Sequence, residues 1–145
     1  MLDLHSPLLR RLYEDWDRRR NGRAFPARSD FDVLDLGYII GNVSLLDVRY
    51  DPLRFRYRLH GTNIAQRAGV DLTGKNVEDV PDIAWRAGLL KHFRAVIEQR
   101  RPVAITFRRA WTDHRFWNCE SLALPLSREG NTIDMLMTSV VWSND

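Results

Sequence analysis

The sequence is poor in cysteine and in lysine. Cys119 is its only cysteine, which excludes a disulfide framework and any multi-cysteine zinc site. No run approaches ~18 consecutive apolar residues, so no membrane-spanning helix is expected. Residues 1–11 have neither the apolar stretch nor the small-residue cleavage site of a secretory signal, and a cytoplasmic location is the expectation. The four histidines, His5, His60, His92 and His114, fall in four separate segments, so no metal site is expected. Gly-x-Ser-x-Gly, His-Glu-x-x-His and glycine-rich phosphate loops do not occur; Gly61-Thr62 and Gly74-Lys75 carry single glycines. With no positioned nucleophile and base, no catalytic residue is assigned.

What is present is the make-up of one ordinary globular domain: 145 residues, 44% hydrophobic and 28% charged. The formal charge is +3, and of the 22 basic residues all but Lys75 and Lys91 are arginine. The arginines are interleaved with aspartates along the whole chain. Short clusters occur at Arg18-Arg19-Arg20, Arg100-Arg101 and Arg108-Arg109. A nucleic-acid binder concentrates its charge on one stripe, so that class of partner is disfavoured.

The order of elements is readable. Ser6 and Pro7 open a helix that Gly22 closes, with Leu8, Leu9, Leu12, Tyr13 and Trp16 along one face. Ser29-x-x-Asp32 resembles a loose capping box, and Leu34 to Ile40 read as a second, shorter helix. Val43–Tyr50 and Leu53–His60 form a hairpin about Asp51-Pro52. In its second strand Leu53, Phe55, Tyr57 and Leu59 face one way, and Arg54, Arg56, Arg58 and His60 the other. A short helix spans Thr62–Ala68, and Asp82 caps a long one reaching Arg100 or Arg101. Three strands follow: Val103–Trp111, Phe116–Leu126 and Thr132–Trp142. The last is apolar on both parities, which marks a central strand covered on both sides. The fold class is α+β: a five-stranded antiparallel sheet with helices on one face and an N-terminal helical cap on the other. Residues 1–42 form the cap and 43–145 the core of one structural unit.

The order and the residues together resemble a known family. The stretches LYEDWDRRRNGRAFPARSDFDV, LLDVRYDPLRFRYRLHGTNIAQRAGVDLTGKNVEDV, RRPVAITF and ESLALPLSREGNTIDML are similar to the stand-alone PAS-type sensory domains common in alphaproteobacteria. Their Phe-Arg-x-Arg-Leu-x-Gly-Thr strand end, Leu-Thr-Gly loop and Glu-x-Leu-x-Leu-Pro-Leu strand occur here in order, between Leu8 and Val141. The resemblance implies a PAS fold and a sensory or regulatory role, without specifying a ligand.

Each candidate residue has a plainer reading beside the functional one. Asn118-Cys119 is similar to the Asn-Cys of flavin photosensors, but it falls in a strand, and a small buried cysteine is the better reading. Some PAS domains ligate haem through a histidine on the long helix, where His92 lies. Its position flanks the apolar stripe of Leu89, Phe93 and Val96, and a partly exposed helix histidine is preferred. No cofactor is required, and haem and flavin are both disfavoured. Glu120 shares a strand face with Leu122 and Leu124, so its carboxylate is expected to face helices. It is either a polar anchor in a ligand pocket or part of a structural ion pair or cap. Tyr57, Trp85 and Phe93 complete the expected pocket with Glu120 and Leu122. Arg54, Arg56 and Arg58 are a solvated strand face or a docking surface for an acidic partner.

A sensory or adaptor module is therefore expected, binding a small ligand or a signalling partner. Homodimerisation is expected through Leu9, Leu12, Tyr13 and Trp16. An enzyme using the helix–sheet crevice with Glu120 as acid or base, and a ligand-free interaction domain, are the rival classes.

Overall fold

A computed structural model describes residues 2–143; residues 1, 144 and 145, the outermost of the expected segments 1–42 and 43–145, lie outside it. The described helices are α1 (Pro7–Arg20), α2 (Thr62–Ala68) and α3 (Ile83–Gln99). The strands are β1 (Val43–Arg49), β2 (Arg54–Leu59), β3 (Val103–Ala110), β4 (Phe116–Leu126) and β5 (Met135–Ser143). They form one sheet in the order β2-β1-β5-β4-β3, antiparallel throughout. The expected β1–β2 hairpin and the interior last strand are both present. None of the described helices is long and apolar enough to cross a membrane.

The register assigns every strand residue to one of two faces. Ser44 pairs with Thr138, Leu46 with both Leu136 and Tyr57, Ser121 with Val140, and Ile105 with Ser121. These residues share the face that α2 and α3 overlie. The alternate positions, among them Leu45, Met137, Glu120 and Leu122, share the other face, which α1 covers.

Helix α1 is built as its sequence prescribes. Ser6 Oγ accepts the Leu9 amide at 3.3 Å, Pro7 occupies the first turn, and Asn21, in the left-handed region at φ 50°, closes the end. Leu9 and Leu12 are fully buried, and Trp16 Nε1 donates to the Pro125 carbonyl at 2.8 Å. Three of the four expected dimer contacts are thus buried within this chain. Leu9, Leu12 and Trp16 are consumed in covering this chain's own sheet, and Tyr13 is half-buried against the same core. As a lone helix of this length is marginal in water, the sheet is what holds α1 in place.

The expected second helix is absent. Residues Arg28–Asp30, Val33–Leu36 and Ile40–Asn42 form three separate 3₁₀ turns. Carboxylates compete with helical hydrogen bonding there: Asp30 accepts the Ala27 amide at 2.7 Å and Asp32 the Leu34 amide at 2.9 Å. The capping oxygens thus belong to Asp30 and Asp32, and Ser29 supplies none of the described caps. Strand β5 also starts later than expected. Glu129 holds the Asn131 and Thr132 amides, and Asp134 accepts from Arg128, in a loop ahead of it.

If α1 is an intramolecular cover, Trp16→Ala lowers stability by about 3–5 kcal/mol, the cost of a large core truncation. Urea denaturation followed by circular dichroism measures it. A variant within about 0.5 kcal/mol of wild type, with altered light scattering, would restore the dimer assignment.

Candidate functional site

Between α3 and the sheet lies a cavity of about 430 Å³, within the range of small-molecule sites. Its sheet wall includes Ser44, Tyr57, Ile105, Phe107, Arg109, Ser121, Thr138 and Val140; its helix wall includes Trp85, Gly88, Leu89, His92 and Phe93. The exposed lining residues Asp82, Ala84, Gly88, Arg108 and Ala110 set its mouth between the start of α3 and the end of β3.

Asp82 positions the helix wall by accepting the Trp85 amide at 3.0 Å, an N-cap that sets where α3 begins. Gly88 is the unusual member. A mid-helix glycine costs about 1 kcal/mol relative to alanine, and a Cβ placed there meets nothing within 4 Å. The missing side chain leaves open space in the cavity wall.

Of the five expected ligand contacts, the structure brings three together. Tyr57, Trp85 and Phe93 line the cavity. Glu120 and Leu122 do not; they lie on the opposite face of β4, and the expectation is corrected there. Glu120 accepts the His5 and Ser6 amides, both at 2.8 Å, and is 7% exposed. It is a cap clamped onto the N-terminus of α1, where a carboxylate meets orphan amides and the positive helix end. The helix it faces is the cover over the other face of the sheet, so strand parity was right and the choice of layer was not.

His60 was assigned to the solvent face with the arginines, yet it is 3% exposed and lines the cavity. The cause is a bulge: Leu46 pairs with Tyr57 but Leu45 with Leu59, leaving Arg58 as an extra residue. Beyond it the alternation inverts, and Leu59 emerges 41% exposed while His60 turns inward. Its Nδ1 accepts the Leu72 amide at 3.0 Å, so Nε2 carries the proton of the neutral ring. Burial lowers the pKa of His60, against a weaker pull from Asp71. Gly61 follows because β2 then passes so close to β1 that a Cβ would sit 2.8 Å from the Gly41 carbonyl and 2.9 Å from that of Val43.

His92 is also buried rather than partly exposed. Its Nε2 lies 2.8 Å from the Val103 carbonyl, which only an N–H donor can satisfy, and burial lowers its pKa. That nitrogen is committed to the backbone, so axial ligation through it would cost the Val103 bond. Cys119 is buried with Ile64, Trp111 and Val140, and burial raises its thiol pKa. The strand arginines are exposed; Arg58 pairs with Asp47 at 3.0 Å and Arg56 donates to the Gly74 carbonyl.

Arg109 belongs to the site although the sequence shows it only as part of an arginine cluster. It continues the parity of Ile105 and Phe107 and therefore points into the crevice. Its guanidinium carbon lies 4.1 Å from the Trp85 ring centre and 4.4 Å from that of Trp111. A charge at an otherwise apolar parity position was the available signal. Ser44, Ser121 and Thr138 carried none, because small polar residues are common in strands.

A five-stranded antiparallel sheet in this order, with helices enclosing a cavity over one face, defines a PAS-type fold. The chain belongs to the PAS domain family, whose model matches residues 4–140. Among solved structures it is similar to a LOV protein of Rhodobacter sphaeroides, at 13% identity and TM-score 0.53, covering 70% of this chain and 58% of that one. It is also similar to the VqmA dimer of Vibrio cholerae, at 12% identity and TM-score 0.59, covering 79% and 52%. VqmA bound to DPO matches at 14% identity and TM-score 0.55, covering 70% and 52%. These likenesses establish the fold, and the chain spans 52–58% of the length of those structures. Comparison with curated proteins finds no match.

Two expectations follow. Glu120→Gln replaces one accepting oxygen by a donor beside a donor, and costs about 2 kcal/mol in urea unfolding, as for a lost charge-assisted hydrogen bond. An unchanged unfolding midpoint would contradict the cap. The second concerns pH. Below about 6.5, the ordinary histidine value, the unfolded chain takes up protons that buried His60 and His92 refuse. Stability is therefore full above that pH and falls as pH drops from 7 to 5, by at most about 1.4 kcal/mol per pH unit for each ring. Carboxylates with lowered values, such as Asp30 and Glu129, act at lower pH. A thermal midpoint that is flat between pH 5 and 7 would contradict neutral burial of both rings.

Proposed function

We propose that the protein is a sensory module that binds a small organic ligand in the α3–sheet cavity and passes its state on by association, without catalysis of its own. The observation that carries this reading is the cavity itself. A well-filled core closes such a space with side chains, whereas here the wall has a glycine at its mouth and hydroxyls at Ser44, Ser121 and Thr138. Family membership supports it, as does likeness to VqmA bound to DPO.

The enzymatic alternative rested on Glu120, and that carboxylate is turned away and doubly bonded to amides. Among the described residues, His60 and His92 face the cavity without a carboxylate partner placed to drive acid–base exchange; Asp71 stands 4.0 Å from His60 Nδ1, a nitrogen already engaged by an amide. Association of two copies through α1 as it stands is limited to the side left exposed, which carries Leu8 and Arg11.

Thermal-shift screening of a metabolite library tests the reading. Binding compounds raise the wild-type melting temperature by several degrees, since a ligand at ~100 times its dissociation constant adds about 2.7 kcal/mol. Gly88→Phe, which fills the open wall, remains folded and loses the response. An unresponsive wild type, or hits unaffected by the substitution, would refute the cavity as the ligand site.

A further inference from the structure

We infer that the cavity takes a carboxylate-bearing ligand with an apolar body, and that Arg109 is the residue that recognises the carboxylate. This rests on the reading of the cavity as a ligand site. Arg109 extends from β3 into the crevice, and its side chain is 17% exposed. Its Nη1 is buried with no hydrogen-bond partner among the described residues. A buried guanidinium donor without an acceptor is costly, and natural structures rarely leave one without a reason.

The groups around it do not supply that acceptor. Asp82 Oδ2 stands 3.8 Å from Nη2, beyond hydrogen-bond length, and that carboxylate is 54% exposed because it serves as the cap of α3. Arg109 Nε reaches only the Ala110 carbonyl, at 3.4 Å. The remaining titratable lining groups are Tyr57, His60, His92 and Arg108. Burial favours the neutral form of the first three, while Arg108, at the opposite strand parity, carries its guanidinium over the Phe116 ring, 5.5 Å from its centre. The cavity is thus a low-dielectric space whose one buried charge is the Arg109 guanidinium, with an unused edge, while the opposing Asp82 carboxylate is half in solvent.

Trp85 and Trp111 flank the guanidinium. Packed in the corner of two indoles that meet edge to face at 73°, the group is held in place and keeps an N–H edge free for a planar acceptor. A carboxylate matches that edge with two parallel bonds. Ile105, Phe107, Leu89, Phe93 and Val140 offer apolar surface for the rest of the ligand. A single aliphatic or aromatic acid fits this division; a phosphate dianion would demand more donors than one arginine edge provides.

The test uses pairs that differ only in charge: benzoate and benzamide, phenylacetate and phenylacetamide, indole-3-acetate and indole-3-acetamide, octanoate and octanamide. Calorimetry on the full chain measures each pair on wild type, Arg109→Gln and Asp82→Asn. In wild type at least one acid binds about tenfold or more tightly than its amide, as a charge-assisted bond predicts. Arg109→Gln erases that preference and leaves amide binding unchanged. Asp82→Asn keeps the helix cap but removes the competing charge, and strengthens acid binding several-fold. This arm stands even if Arg109→Gln does not fold. Amides binding as well as their acids in wild type would overturn the inference and leave the ligand site standing. An acid preference that survives Arg109→Gln would overturn the assignment to Arg109. Binding of none of the eight compounds would count against the cavity as a ligand site, and the inference would fall with it.

Discussion

Strand β5 lies at the middle of the sheet and is apolar on both faces, so neither face can be left to water. One layer must come from the segment before the sheet and the other from the helices inserted between β2 and β3. The first layer is α1, with Leu9, Leu12 and Trp16 closing against the sheet and Trp16 bonded to the Pro125 carbonyl. The second is α3, whose Phe93 and Val96 are buried over the other face. The two layers differ. The α1 side buries Leu9, Leu12, Leu122 and Leu124 completely, while the α3 side retains a cavity of about 430 Å³.

Glu120 and Arg109 illustrate how one charge becomes structural and the other available. Both sit at strand positions where neighbours are apolar, and both must be satisfied or remain costly. Glu120 meets two amides at the start of α1, and its demand ends there. Arg109 meets two indole faces and a distant, half-hydrated carboxylate, which leaves one nitrogen without an acceptor. The two residues are on opposite faces of the same sheet. Sequence parity separates them once pairing is known, because Ile105 opposes Ser121 and Thr106 opposes Glu120.

Much of the architecture was legible from local rules. Ser6 and Asp82 cap the helices they were expected to cap, Gly69 ends α2 in the left-handed region at φ 75°, and the β1–β2 hairpin turns at Asp51-Pro52. The site was less legible. Tyr57, Trp85 and Phe93 were found because alternation and helical spacing place them inward. His60 was lost because one extra residue at Arg58 inverts the alternation, and a bulge leaves no mark on the hydrophobic pattern of so short a strand.

By itself the sequence determined periodicity, and through it the element types outside the segment 28–42, the antiparallel order and the two-sided burial of β5. These depend on neighbours along the chain, where spacing is enough. Only the tertiary structure decided which layer each inward residue meets. Glu120 was bound to face helices, but whether it met α1 or α3 depended on how the sheet was covered, a relation between residues more than 100 positions apart. The same holds for the cavity. An empty volume is the mismatch between surfaces contributed by distant segments, here Gly88 on one side and Ser44, Ser121 and Thr138 on the other. No local pattern encodes it, because each residue is ordinary in its own element and the gap exists only between them.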